Sequence, residues 1–283
     1  LVRLGVAVDS RIPIEVGQHA DNLDYLRSKV EKMAHWISFR EKAPTHEAHA
    51  FLTPLIDSLK LAASGAAGQP YVTLHYTQSL NGRIVPPFTA AAESMQAADL
   101  LRYLGQHHDA ILTDLASLKT GGLPGPESAA GLAEYPELVL LDEDQVALAN
   151  WEHPPHFPKP PILLSTTEYG PRHSLPDWLS EARIVTLASS ATANRADQIA
   201  ILCRELGFKT LLVMGAAPLI GAFQNSQSVN YCVITINPYL ACSPASHQVF
   251  SPEDVSCTGL SLRDCHYHTL DRSTVVCGTA GQP

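Results

Sequence analysis

Ser79, Asn81 and Arg83 set a hydroxyl, an amide and a guanidinium into the short stretch Thr77–Arg83, directly behind the apolar run Tyr71–Tyr76. Together they offer donors and acceptors that can hold and polarise a small polar molecule, and the guanidinium adds a fixed fork of donors. A strand end that changes abruptly from apolar to polar, with Gly82 in the turn, is where an open α/β sheet builds a ligand site. The residues alone fit equally well a strand followed by an ordinary turn.

Other groups capable of chemistry are weaker. Asp142-Glu143-Asp144 follows a strand-like run and reads as a solvated loop ahead of a metal site. Cys257, Cys265, His266 and His268 lie close in sequence, and the two histidines would share one strand face. No tetrahedral ligand spacing accompanies them, so no metal is expected and edge-strand polar positions are the simpler reading. His107 and His108 precede a strand, where an imidazolium could cap a helix C-terminus. His35, His46 and His49 read as surface or packing residues. The sequence has no Gly-x-Gly-x-x-Gly, no phosphate loop ending in Gly-Lys-Ser/Thr, and no Gly-x-Ser-x-Gly elbow.

The elements that must position these residues alternate. Strands are expected at Tyr71–Tyr76, Ala110–Leu112, Leu138–Leu141, Ile162–Ser165, Ile184–Leu187, Thr210–Met214 and Tyr231–Ile236, then at Leu260–Tyr267 and Ser273–Val276. Helices are expected at Ala91–Gly105, Ala193–Leu206 and Ala217–Asn225. Interleaving of this kind predicts a largely parallel sheet with helices on both faces. No helix separates the last two strands, so they should form an antiparallel edge. Ahead of this, Ala20–Phe39 and Ala48–Ala63 have helix spacing, and Ser64–Pro70 reads as a small-residue linker. The expected division is an N-terminal helical extension with its linker, 1–67, and an α/β domain, 68–283.

The chain has 283 residues, 45% hydrophobic and 17% charged, with a formal net charge of −9. That length and balance describe a globular protein of one large domain or two small ones. An acidic chain without a basic run argues against nucleic acid and against anionic membrane surfaces. No apolar stretch reaches the ~18 residues of a transmembrane helix. The opening residues are too interrupted for a signal peptide, although the chain does not start at methionine and a segment could precede it. Of the six cysteines, Cys203 and Cys232 fall in apolar runs and none forms a Cys-x-x-Cys pair, which points to buried free thiols in a reducing, cytoplasmic setting.

Four blocks in order carry a family resemblance. Pro70–Ile84 holds Ser79-Leu80-Asn81-Gly82-Arg83, Leu100–Leu112 reads as helix then strand, Thr210–Ala222 as strand then helix, and Asn230–Leu240 as strand then proline. Together, across residues 70–278, they resemble the reductases of riboflavin biosynthesis, a dihydrofolate-reductase-like family. Its fungal branch reduces a ribosylamino-pyrimidinone phosphate with NADPH. The resemblance implies a mainly parallel twisted sheet, a small-molecule substrate held by Ser79, Asn81 and Arg83, and a homodimer. It places Asp114, Ser117, Met214, Gly215, Ala216 and Ala217 at the cofactor.

The match breaks at those cofactor positions. Asn81 stands for the family's aspartate. Asp114 and Leu115 stand where small residues are expected, and Ser117 replaces a threonine. Met214 takes an acidic position and Ala216 a glycine of the family's Val-Glu-Gly-Gly signature. A Cβ at such a glycine fills space a phosphate would use, and a carboxylate near a phosphate repels it. The expectation is therefore that NADPH binding is weakened or lost. Reduction by NADPH, a cofactor-free cyclisation, isomerisation or rearrangement, and a non-catalytic scaffold all remain open on these residues.

Overall fold

A computed structural model of the chain describes residues 46–65, 68–85, 95–121, 135–142, 159–165, 175–187, 194–240 and 260–281. The helix expected at Ala20–Phe39, together with Cys242, Cys257, Glu143 and Asp144, lies outside them. The chain divides into two compact units, Leu1–Ala43 and Pro44–Pro283.

The second unit is built on a ten-stranded sheet. Its strands are β1 Tyr71–Ser79, β2 Ile84–Val85, β3 Ala110–Asp114, β4 Glu137–Asp142, β5 Ile162–Ser165, β6 Arg183–Thr186, β7 Thr210–Val213, β8 Val229–Asn237, β9 Ser261–Leu270 and β10 Ser273–Gly281. They lie in the order β6-β5-β4-β3-β7-β1-β8-β10-β9, with β2 paired to β1. Every neighbouring pair from β6 to β8 is parallel, while β10 is antiparallel to both of its neighbours, β8 and β9. The mainly parallel sheet and its antiparallel C-terminal edge are those the alternation predicts.

The helices are α1 Thr53–Ser64, preceded by a 3-10 segment His46–Leu52, then α2 Met95–Gln106, α3 Leu115–Gly121, α4 Arg195–Glu205 and α5 Ala217–Gln224. Two separate cores show that both sheet faces are covered. One joins α1, α2 and α3 to Leu138, Leu140, Leu212 and Val233. The other joins α4 and α5 to Val139, Leu141, Leu211 and Val213. Successive residues of β4 and β7 enter opposite cores, as the two-residue period of a strand requires.

α1, from the N-terminal helical extension, packs on the sheet and belongs to the compact unit that begins at Pro44. Leu55, Ile56 and Leu59 of α1 are buried with α2 and β7 in a single core. The small-residue stretch 64–70 is thus a connection within one unit, whose first residue is Pro44. Elements hidden in the sequence include β2, only two residues long, the 3-10 segment Asp177–Leu179, and α3, of seven residues.

Aspartates stitch β3 to β7 at both ends. At the amino end, Asp109 Oδ2 accepts from Lys209 N (2.8 Å) and Thr210 N (2.9 Å). At the carboxyl end, Asp114 Oδ2 accepts from Ala216 N (2.7 Å).

Candidate functional site at the carboxyl edge of the sheet

The carboxyl ends of β3, β7 and β1 lie side by side, and the predicted site residues follow all three. Register sets their relative positions. One long side of β1 pairs with β8 along Val72–Ser79. The other side pairs with β7 over Tyr71–Leu74 and then with β2 at Thr77 and Gln78. β2 therefore occupies the same lane as β7, farther along β1. His75 and Tyr76 span the break between them, and there the loop Met214–Ala216 leaves β7.

The polar turn is a tight hairpin between β1 and β2. Ser79 N donates to Arg83 O (2.9 Å) and Gly82 N to Ser79 O (2.9 Å). Gly82 has φ +72°, so Leu80-Asn81 make the turn and Gly82 supplies the left-handed residue of a three-residue loop. Ser79 is fully buried, and its hydroxyl donates to Asn81 Oδ1 (2.6 Å) and accepts from Arg83 N (3.2 Å). That hydroxyl is engaged inside the turn. Asn81 is exposed and Arg83 half-buried.

The other predicted residues divide into two groups. Asp114, Ser117, Gly215 and Ala216 come together. Asp114 Oδ1 accepts from Ser117 N (2.7 Å) and Oδ2 from Ser117 Oγ (2.8 Å) and Ala216 N (2.7 Å). Met214 and Leu115, which depart from the family pattern, enter the core with Leu212 and α2, each 1% exposed. Strand alternation turns Met214 to the same face as Leu212. Ala217 is buried in the opposite core with Leu219 and Ile220.

Asp114 thus differs from its expected role. It is no loose carboxylate lining a phosphate path. It is almost wholly buried, bonds the first turn of α3, and ties that turn to the loop after β7. The Ala216 amide, at the N-terminus of α5, is thus held by a carboxylate.

Two buried polar side chains escaped the sequence reading. His75 is 2% exposed and Thr113 fully buried, and among the described residues neither ring nitrogen of His75 nor the Thr113 hydroxyl has a hydrogen-bond partner. Both pairings of β7, Leu74 with Val213 and Leu112 with Val213, step on to bring His75, Met214 and Thr113 into one row. Burial pushes the His75 imidazole down to about 4. Thr73, His75 and Thr77, alternating through an otherwise apolar strand, were the visible signal.

Below this row, His108 Nδ1 donates to Leu104 O (2.6 Å), and Thr73 Oγ1 donates to His108 Nε2 (2.8 Å). His108 does cap its helix, but as a neutral imidazole: burial first of all lowers it to about 4. Desolvation outweighs the attraction of the helix end for a charge. Among the remaining histidines, His49 stacks on Tyr103 (centroids 4.5 Å apart) and His268 on Phe51 (4.3 Å). Cys203 and Cys232 are free, buried thiols pushed up to about 12 by desolvation, which makes them poor nucleophiles. No helix among the described residues is long and apolar enough to cross a membrane.

No protein-family model matches the sequence, and no curated protein matches it. Solved structures do. The riboflavin biosynthesis reductase Rib7 of Saccharomyces cerevisiae is 20% identical and superposes with a TM-score of 0.57 over 81% of this chain and 99% of its own. A pyrimidine reductase-like protein of Corynebacterium diphtheriae gives 14% identity and 0.54 over 76% and 93%. A diaminohydroxyphosphoribosylaminopyrimidine deaminase/reductase of Thermotoga maritima gives 15% and 0.51 over 75% of this chain and 57% of that longer protein. The fold of this chain is therefore that of the riboflavin-biosynthesis reductases, as its four sequence blocks lead one to expect.

Proposed function

We infer that this protein is an enzyme acting on a small organic molecule at the carboxyl edge of β1, β7 and β3, and that it works without NADPH held by its phosphates. The observation that carries this reading is the Asp114 carboxylate on Ala216 N (2.7 Å), in the loop where an open α/β sheet presents amides to a dinucleotide. Asn81, exposed, and Arg83, half-buried, stand at the hairpin beside this edge and are the groups that would orient a polar substrate. In this reading the chemistry is cofactor-free: a cyclisation, isomerisation or rearrangement of the small molecule. A homodimer is part of this reading and rests on the resemblance.

The test is an assay of the full chain with NADPH and the ribosylamino-pyrimidinone phosphate that the fungal reductases consume, followed by loss of NADPH fluorescence. No turnover, together with native mass spectrometry showing a co-purified small molecule lost in Arg83→Ala, is the expected result. Steady NADPH consumption would overturn it and make the protein a working reductase. Light scattering at micromolar concentration checks the dimer.

A further inference from the structure

We propose that Asp114 is a built-in anion: its carboxylate takes the place of a dinucleotide phosphate at α5 and so excludes that cofactor. This deepens the cofactor-free reading above and rests on it. The geometry has four parts. First, Asp114 Oδ2 accepts from Ala216 N at 2.7 Å, a charge-assisted length, and Ala216 is the N-cap residue of α5. The donor at that helix end therefore already faces a negative charge. Second, Pro218 stands in the first turn of α5 and has no N–H, so the same helix end is one donor short. A phosphate arriving there would find one amide missing and another occupied.

Third, Gly215 is shaped to the carboxylate. A Cβ there would run into Asp114 Oδ2 and lie 2.9 Å from Leu219 Cδ2. The one glycine kept in this loop admits an aspartate from the neighbouring strand. Fourth, the latch is closed on its other side. Ser117 is 1% exposed and gives both its amide (2.7 Å) and its hydroxyl (2.8 Å) to the same carboxylate, so Asp114 caps α3 while it holds α5. All three bonds keep the negative charge at the end of β3, where it repels a second anion. Asp114 thus does electrostatically what a bound phosphate would do, joining two loops through their amides, and does so permanently.

The experiment titrates the full-length wild type, Asp114→Gly and Asp114→Asn with NADPH by fluorescence and with inorganic pyrophosphate by calorimetry. The wild type should bind neither, and Asp114→Gly should gain at least ~10-fold in affinity for pyrophosphate, the value of one recovered amide contact. Asp114→Asn, which keeps one acceptor oxygen and loses the charge, should fall between them. Micromolar NADPH binding by the wild type overturns both this proposal and the cofactor-free reading. Variants that stay folded by circular dichroism yet bind no better than the wild type overturn the latch alone. Hydrogen exchange on the wild type tests the latch even where a variant fails to fold. The Ala216 amide should exchange as slowly as the strand amides of β7, and exchange at an exposed-loop rate overturns the proposal.

Discussion

A Cβ at Gly215 would strike the Asp114 carboxylate, so the two residues should behave as one unit. Gly215→Ala must displace Asp114, breaking its bond to Ala216 N and leaving a buried carboxylate underpaired. The expected loss is roughly 1–3 kcal/mol in urea unfolding. Combined with Asp114→Gly, the alanine should cost clearly less, because the atom it strikes is gone; strict additivity in this double-mutant cycle would contradict the contact. His75 and His108 give the second residue-scale expectation. Both sit at about 4 in the folded state against an ordinary 6.5. The unfolded chain therefore binds more protons between those values. The stability is fully present above pH 6.5 and is lost as pH falls toward 4, by up to about 3 kcal/mol for each histidine. Thermal melts from pH 7 to 4.5 should show this fall. His75→Leu should flatten it without destabilising the protein at pH 7, since that imidazole makes no hydrogen bond to lose.

Among the elements, the β1–β2 hairpin rests on one backbone conformation. Gly82 sits at φ +72° with open space around its α-carbon, so Gly82→Ala meets no clash and costs only the left-handed backbone, about 1–2 kcal/mol. Gly82→Asn should recover part of that loss, because asparagine tolerates this region better. Equal losses for both variants in chemical denaturation would show that the cost is not conformational. Ser79 belongs to the same argument. With its hydroxyl bonded to Asn81 and to the amide of Arg83, it shapes the turn.

At the scale of the molecule, the unit Pro44–Pro283 contains both cores that flank the sheet. A chain starting at Pro44 should keep cooperative unfolding and a far-ultraviolet spectrum typical of an α/β protein. A chain starting at Gly68 should not, because it removes Leu55, Ile56 and Leu59, all at most 5% exposed, from the core under α2. Deleting buried leucines one at a time already costs about 2–5 kcal/mol each, comparable in sum to the whole stability of a domain. A cooperative, native-like chain from Gly68 would show that α1 is dispensable and that the linker at 64–70 is a true boundary.

The sequence by itself determined the architecture. Alternating apolar runs and amphipathic segments located the long strands to within a few residues, because burial on both faces forces nearly continuous Val, Ile and Leu, as in β4 and β7. The same pattern dictated the antiparallel edge, since β9 and β10 have no helix between them. It could not show β2 or α3, which are too short to carry a period, or assign α1 to the sheet's own core, which depends on what packs across it. The candidate site was legible as a set of residue types, not as a set of contacts. Asp114 and Ala216 stand a hundred residues apart, and only the adjacency of β3 and β7 turns a carboxylate expected to repel a phosphate into one that occupies its amide. Strand alternation likewise took Met214 into the core, and the register of β1 set His75 beside Met214 and Thr113. Residue type fixes what a group can donate, accept or ionise; which partner it meets is a property of neighbouring strands, and that contact is made only in the folded sheet.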